Sequence, residues 1–521
     1  MKFFFFNFYF TFFFIFFVSI SFCQDTAWHH NSPLGLRTNK GYAILKNKIS
    51  SRVVVAVIDG GVDILHEDLQ GVIWVNKGEI PNNQVDDDGN GYCDDVHGWN
   101  FLGNKKGEIL TFACYEKVRV LKSMRDKYER LEAKQVSPED MEEYLKFKTI
   151  KESVKSEIAF NEAEIIKYKQ YLEWIDYVPK FLANKFGGEN YTKVDVENWI
   201  PEDDDLYQVR KLALDMYNGI VSAEGVSVQI ESLKKSNAFY FNLDYDDRAL
   251  IGDNPSDFKD VGYGNNNVIG LDPIHGTHVA GIIAAVRNNN KGIDGIADNV
   301  SIMALRVVPD GDEHDKDVAL AIRYAVNNGA KVINLSFGKS YSEFPLEVYD
   351  ALKYANDKDV LLVHAAGNEA RDIDFEVRYP SDYFDTNVKS LPLFLNVGAS
   401  TSFFKGNLAA IFSNYGQLNV DLFAPGQSIY STAPGDEVIM LNGTSMAAPM
   451  VSGVAALLKS YFPKLSMLQI KDILMKSVKP FGKSNQLVPG TELKAAFSKL
   501  SVTGGVLDIP NAIKLAKKTI N

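Results

Sequence analysis

The chain has 521 residues, 46% of them apolar and 23% charged, with a formal net charge of −12. That much apolar material supplies a large core and excludes a disordered chain, a collagen-like repeat or a disulfide-stapled miniprotein. The acidic balance, with no block of Lys and Arg, argues against nucleic acid as a partner.

Of the 33 Phe, 12 lie between Phe3 and Phe22. Lys2 gives a short positive start, Phe3 to Ile20 is uncharged and apolar, and Ser21 and Cys23 supply the small residues of a cleavage site. This pattern predicts a signal peptide over 1–23, a mature chain from Gln24, and a secreted or periplasmic protein. The alternatives are an uncleaved membrane anchor and a lipoprotein anchored through Cys23, although bulky Phe22 departs from the small residue such signals carry there. No second run of 18 apolar residues occurs, so no membrane span is expected after cleavage. Cys93 and Cys114 then remain, a pair able to bridge in an oxidising compartment.

Val53 to Ile58 is a β-branched run that ends at Asp59-Gly60-Gly61, the pattern of a strand buried on both faces of a parallel sheet. An acid at the carboxyl end of such a strand lies where open α/β sheets build their sites. Asp86, Asp88, Asn90, Tyr92 and Asp94 then place oxygen ligands at alternating positions, with Gly91 for the turn, like the first nine positions of an EF-hand loop. His97 stands where the bidentate Glu would be, so the expectation is a structural calcium held by those five residues, Tyr92 through its carbonyl, or an acidic turn without metal.

From Lys117 to Phe186 the chain is rich in Lys and Glu, with Leu121, Met124, Tyr128 and Leu131, then Ile165, Tyr168, Leu172 and Ile175, at helical spacing. Ser137-Pro138-Glu139-Asp140 reads as a helix start. Long amphipathic helices in an antiparallel hairpin are expected, with Glu202 to Asp205 as a solvated loop. Short apolar runs at 301–308, 331–337, 360–366 and 393–399 alternate with helical patterns, which predicts a doubly wound α/β fold.

His275 and His278 sit in Ile274-His275-Gly276-Thr277-His278, opening a helix whose Val279, Ile282, Ile283 and Val286 face a core. Asn368 follows a buried strand in Ala365-Ala366-Gly367-Asn368-Glu369. Ser445 stands in Gly443-Thr444-Ser445-Met446-Ala447-Ala448-Pro449 at the start of a small-residue helix, where the positive dipole end suits a developing anion. Taken singly, each of these has a bland reading as a helix-start His, a turn Asn or a cap Ser.

Together they resemble the subtilisin-like serine peptidases, the subtilase family, whose chain order is acid, His, Ser. Asp59 in Ile-Asp-Gly-Gly-Val matches the acid motif, and His66-Glu67-Asp68-Leu69 the segment just beyond it. His275 matches the base, Ser445 the nucleophile and Asn368 the oxyanion-hole amide. The resemblance implies a mostly parallel sheet with helices on both faces and a serine endopeptidase acting on protein or peptide substrates. It also implies that Ser336, Phe337 and Gly338, with Ala366 and Gly367, bind the substrate. Two positions depart from the family pattern: Gly60 where Ser or Thr is common, and Phe337 where many relatives have Gly.

A family member has about 32 residues between acid and His and about 157 between His and Ser. Here the gaps are 216 and 170 residues. The expectation is one peptidase domain over 24–521, interrupted by a mainly helical insertion over 104–258 that is long enough to assist folding, act as a lid or dock an unknown partner. Two rivals are a catalytically inactive binding protein on the peptidase fold and a sedolisin-like acid peptidase. The intact set of four residues argues against the first, and His275 against the second.

Overall fold

The computed structural model describes residues 27–385, 389–404 and 406–520. The signal peptide, its cleavage site and Cys23 lie outside the described residues. The described residues form two compact units, one of them Met124–Tyr245 and the other 27–123 together with 246–520.

The larger unit is built on a nine-stranded sheet. Its strands are β1 (Val53–Asp59), β2 (Gly98–Asn100), β3 (Val300–Arg306), β4 (Val332–Leu335), β5 (Leu361–Ala365), β6 (Phe394–Ser400) and β7 (Leu422–Pro425). A hairpin of β8 (Ile429–Ala433) and β9 (Glu437–Leu441) follows, then β10 (Lys479–Pro480), a hairpin of β11 (Asn485–Leu487) and β12 (Lys494–Ala496), and β13 (Gly505–Val506). The order across the large sheet is β10-β13-β7-β6-β5-β4-β1-β3-β2. All its pairs are parallel except β10 with β13. The four runs expected as strands are thus β3 to β6.

β1 lies between β3 and β4, so the chain crosses over it between those two strands, and the carboxyl ends of the parallel neighbours β1, β4 and β5 lie side by side at one edge of the sheet. The β-branched run of β1 feeds two cores at once. Val55 and Val57 pack on one face, with helix residues Val279, Ile283, Val451 and Val454. Ala56 and Ile58 pack on the other, with Val318, Ile322, Ala351 and Leu352. Alternate residues therefore bury on opposite faces, which is why the run has no polar position.

Residues 104–123 and 246–258 belong to the larger unit, where Leu110, Ala113 and Ile251 join the core beneath the second face. The Met124–Tyr245 unit has a core of its own. A helix of 46 residues, Met141–Phe186, is capped by a left-handed Gly187. Ile175, Val178 and Leu182 from that helix pack with Val196, Val209, Leu212, Val226 and Ile230 from the shorter helices after it. The acidic run at 202–205 is not a plain loop: Asp203 caps the helix Asp204–Tyr217, accepting the Leu206 N–H at 2.8 Å. Acids here face the unsatisfied N–H groups and positive dipole end of the helix, so the charges favour a helix start. Among the described residues no disulfide forms, and Cys93 and Cys114 both keep thiols. Burial pushes the Cys114 thiol up to about 12.

Candidate active site

Asp59 is the last residue of β1 and is buried. Its carboxylate accepts the Gly60 N–H at 2.7 Å and faces the His275 Nδ1 at 2.8 and 3.0 Å. A carboxylate only accepts, so the imidazole proton sits on Nδ1 and the Nε2 lone pair is left for another partner. Burial works against protonation of His275, but the charge and hydrogen bond of Asp59, with Asp272 adding, outweigh it and raise the pKa above its ordinary value. This close approach depends on Gly276. A Cβ there would fall 2.1 Å from the Gly61 carbonyl oxygen and 3.2 Å from the Asp59 Cβ, forcing the helix Ile274–Ala284 off the end of β1. His278 plays a different part. Its Nε2–H donates to the Ile429 carbonyl at 3.1 Å, and burial lowers its pKa to about 3, so it stays neutral.

Ser445 lies in the first turn of the helix Thr444–Tyr461, where backbone N–H groups have no intrahelical acceptor. Pro449 has no N–H to offer the Ser445 carbonyl four residues earlier. That carbonyl instead accepts the Ser336 hydroxyl at 2.9 Å, and the Ser445 hydroxyl donates to the Ser336 carbonyl at 3.0 Å. Ser336 is held in turn by the Asn334 amide at 2.8 Å, and Asn334 by the Ser452 hydroxyl at 2.8 Å, all three residues being buried. A fully satisfied buried chain of this kind fixes the backbone on which it is strung.

Asn368 is exposed three residues beyond β5. Its Oδ1 accepts the Thr444 N–H at 2.8 Å and the Thr444 hydroxyl at 3.0 Å. This assigns the amide orientation and leaves Nδ2 as a donor beside the helix start. Thr444 also takes the Gly367 N–H at 3.0 Å, so one hydroxyl ties the loop after β5 to the start of the Ser445 helix. The edge expected to hold substrate has its carbonyls occupied: Phe337 oxygen accepts His364 Nε2 at 2.9 Å and Gly338 oxygen accepts Arg378 Nη2 at 2.9 Å.

The structure thus brings Asp59 to His275, and Ser445 to Ser336 and Thr444. The Ser445 hydroxyl points to Ser336 in this state, so its transfer to His275 requires a side-chain rotation. Sequence reading missed Thr444, Asn334 and Ser452 as supports, because a hydroxyl or amide in a small-residue helix carries no pattern that marks its partner.

In the acidic loop the carboxylates that converge are Glu79, Asp86 and Asp88, whose oxygens lie within 4.8 Å of one another. Asp94, expected as a ligand with them, adopts a left-handed φ of 55° and gives its carboxylate to the Asn83 and Gln84 N–H groups at 3.1 and 2.9 Å. Glu79 lies outside the alternating run, and burial raises its pKa above the ordinary value.

A family model described as the Subtilase family matches residues 50–493. Subtilisin BL of Lederbergia lenta is 38% identical over 212 residues, which cover 40% of this chain and 72% of that protein. The thermophilic serine proteinase of Bacillus sp. (strain AK1) is 40% identical over 242 residues, covering 46% of this chain and 53% of that protein. Among solved structures, the prenylagaramide maturation protease PagA aligns at 31% identity over 47% of this chain and 82% of its own, with a TM-score of 0.38.

Proposed function

Because the chain belongs to the subtilase family, we propose that it is an exported serine endopeptidase in which Asp59, His275 and Ser445 form the catalytic triad and Asn368 the oxyanion hole. The single observation that supports this best is the His275 Nδ1 held at 2.8 Å by the buried Asp59 carboxylate, which fixes the tautomer a general base needs. Ser445 alone is a poor nucleophile at neutral pH. Once its hydroxyl turns from Ser336, His275 Nε2 takes the proton as Oγ attacks the scissile carbonyl, and later returns it to the leaving amine. Asp59 stabilises the imidazolium between those steps. The Ser445 N–H and Asn368 Nδ2 would donate to the oxyanion of the tetrahedral intermediate; its collapse expels the amine, and water then hydrolyses the acyl-enzyme. An extended peptide would lie between the Ser336-Phe337-Gly338 wall and the Ala366-Gly367 wall. A fluorophosphonate probe tests the reading: it should label wild type at Ser445 and leave Ser445→Ala unlabelled, and failure to label wild type would leave only an inactive binding protein.

Asn368→Ala should lower turnover about 10²- to 10³-fold, the loss measured when the matching Asn is removed from a relative, with the fold retained at a cost of about 1–3 kcal/mol for the Thr444 groups left without an acceptor. Steady-state rates and a melting curve on the same sample check both halves. Activity within about threefold of wild type would sink the assignment.

The acidic loop supports a structural calcium. Three carboxylates gathered this closely repel one another, and a hard cation with oxygen ligands relieves that repulsion. Glu79, Asp86 and Asp88 would hold the ion. At a hundredfold excess over its Kd, bound calcium adds about 2.7 kcal/mol to stability. Chelation should therefore lower the melting midpoint of wild type but not of Glu79→Gln, and an unchanged wild-type midpoint would remove the proposal.

A further inference from the structure

Arg378 spans the two walls of the substrate cleft. Its Nη2 donates to the Gly338 carbonyl at 2.9 Å and pairs with Glu369 Oε1 at 2.9 Å, while Nη1 reaches the Ser340 hydroxyl at 2.8 Å. Gly338 is two residues beyond Ser336, which holds the Ser445 hydroxyl, and Glu369 directly follows Asn368, which holds Thr444. The guanidinium therefore lies where the walls on either side of the nucleophile are joined. It is 14% exposed, and its buried Nε–H has no acceptor. Five N–H groups in a fixed fork want five acceptors, and an unmatched buried donor is costly.

We propose that Arg378 determines substrate choice, selecting peptides with Glu or Asp as the residue that donates its carbonyl to Ser445. The inference rests on the triad reading above and names the substrate class of that same site. A carboxylate carried in by the substrate would make a charge-assisted contact with the guanidinium, which keeps one Nη1 N–H and the Nε–H beyond the contacts named above. Glu369 does not cancel the charge. It takes one N–H only, is 43% exposed, and its other oxygen is held by Asn414 Nδ2 at 2.7 Å. Burial and the Arg378 charge hold the neighbouring His364 neutral, its pKa lowered to about 4, and the buried Lys339 ammonium is already paired with Asp315 at 2.8 Å.

The test uses internally quenched peptides that differ only in the residue on the acyl side of the cleaved bond, Glu, Gln or Lys. Wild type should favour Glu over the isosteric Gln by about tenfold or more in kcat/KM, the size of one good partly desolvated charge contact. Arg378→Gln should bring that ratio near one, and Arg378→Lys should keep part of it, since the charge remains while the fork is lost. A merely structural tie would lower all three substrates together and leave the ratio alone. Fluorophosphonate labelling, run on the same samples, reports on the nucleophile separately: unlabelled wild type would overturn the triad reading and this inference with it. Labelled wild type with a Glu to Gln ratio near one would overturn the inference alone. If Arg378→Gln does not fold, the wild-type ratio and that of Arg378→Lys decide the matter. A preference kept in full by a folded Arg378→Gln also overturns it.

Discussion

Ser445→Ala should lower peptide turnover by about 10⁶-fold, His275→Ala by about as much, and the double variant by no more than either single one, as in a relative with the same triad. The reason is that nucleophile and base act as one unit: without the imidazole the hydroxyl stays protonated, and without the hydroxyl the imidazole has nothing to activate. Ser445 contributes a single side-chain hydrogen bond, to Ser336. Its removal should therefore leave the melting midpoint within a few degrees, since one such bond is worth about 1 kcal/mol. Rates measured on purified single and double variants provide the check. Losses that multiply in the double variant would mean that the two residues act independently, contrary to the mechanism.

Asp59→Asn should cost about 10⁴-fold in kcat with the fold intact, the effect of the same exchange in an unrelated peptidase with this triad. An amide in place of the carboxylate can present N–H to the imidazole Nδ1, which then holds the proton on Nε2, the nitrogen that must accept from Ser445. The pH profile supplies an independent readout. Turnover needs neutral His275, so activity rises with pH through the pKa of that residue, which lies above its ordinary value because of the Asp59 charge and hydrogen bond. Removing the charge should move the acidic limb of the residual activity to lower pH. A loss below about tenfold, or an acidic limb that does not move, would show that Asp59 does not govern His275.

Much of this site was legible along the chain because each of its chemical groups sits in a local pattern. Asp59 ends an apolar run with the pattern of a doubly buried strand, and Ser445 opens a helix of small residues that packs closely on its neighbours. Their supports were not legible. Thr444 became the link between Asn368 and the Ser445 helix only when the loop after β5 came alongside the helix start. The missing N–H of Pro449 is what frees the Ser445 carbonyl for Ser336. In the acidic loop, regular alternation pointed to Asp86, Asp88 and Asp94, whereas the carboxylates that lie together are Asp86 and Asp88 with Glu79, from outside the repeat.

The sequence by itself determined the order of the acid, His and Ser, the strand and helix types that carry them, and the presence of a long helical segment between the first two. Each of these depends on residue type and on periods of two or 3.6 residues, which are local quantities. Only the tertiary structure decided that 104–123 and 246–258 join the larger unit, and that Asp59 and His275, 216 residues apart, come into hydrogen-bond contact. It alone placed Arg378 between the Gly338 carbonyl and the Glu369 carboxylate. Those placements follow from the strand order, with β1 lying between β3 and β4, and a contact set by strand order leaves no trace in the spacing of residues along the chain.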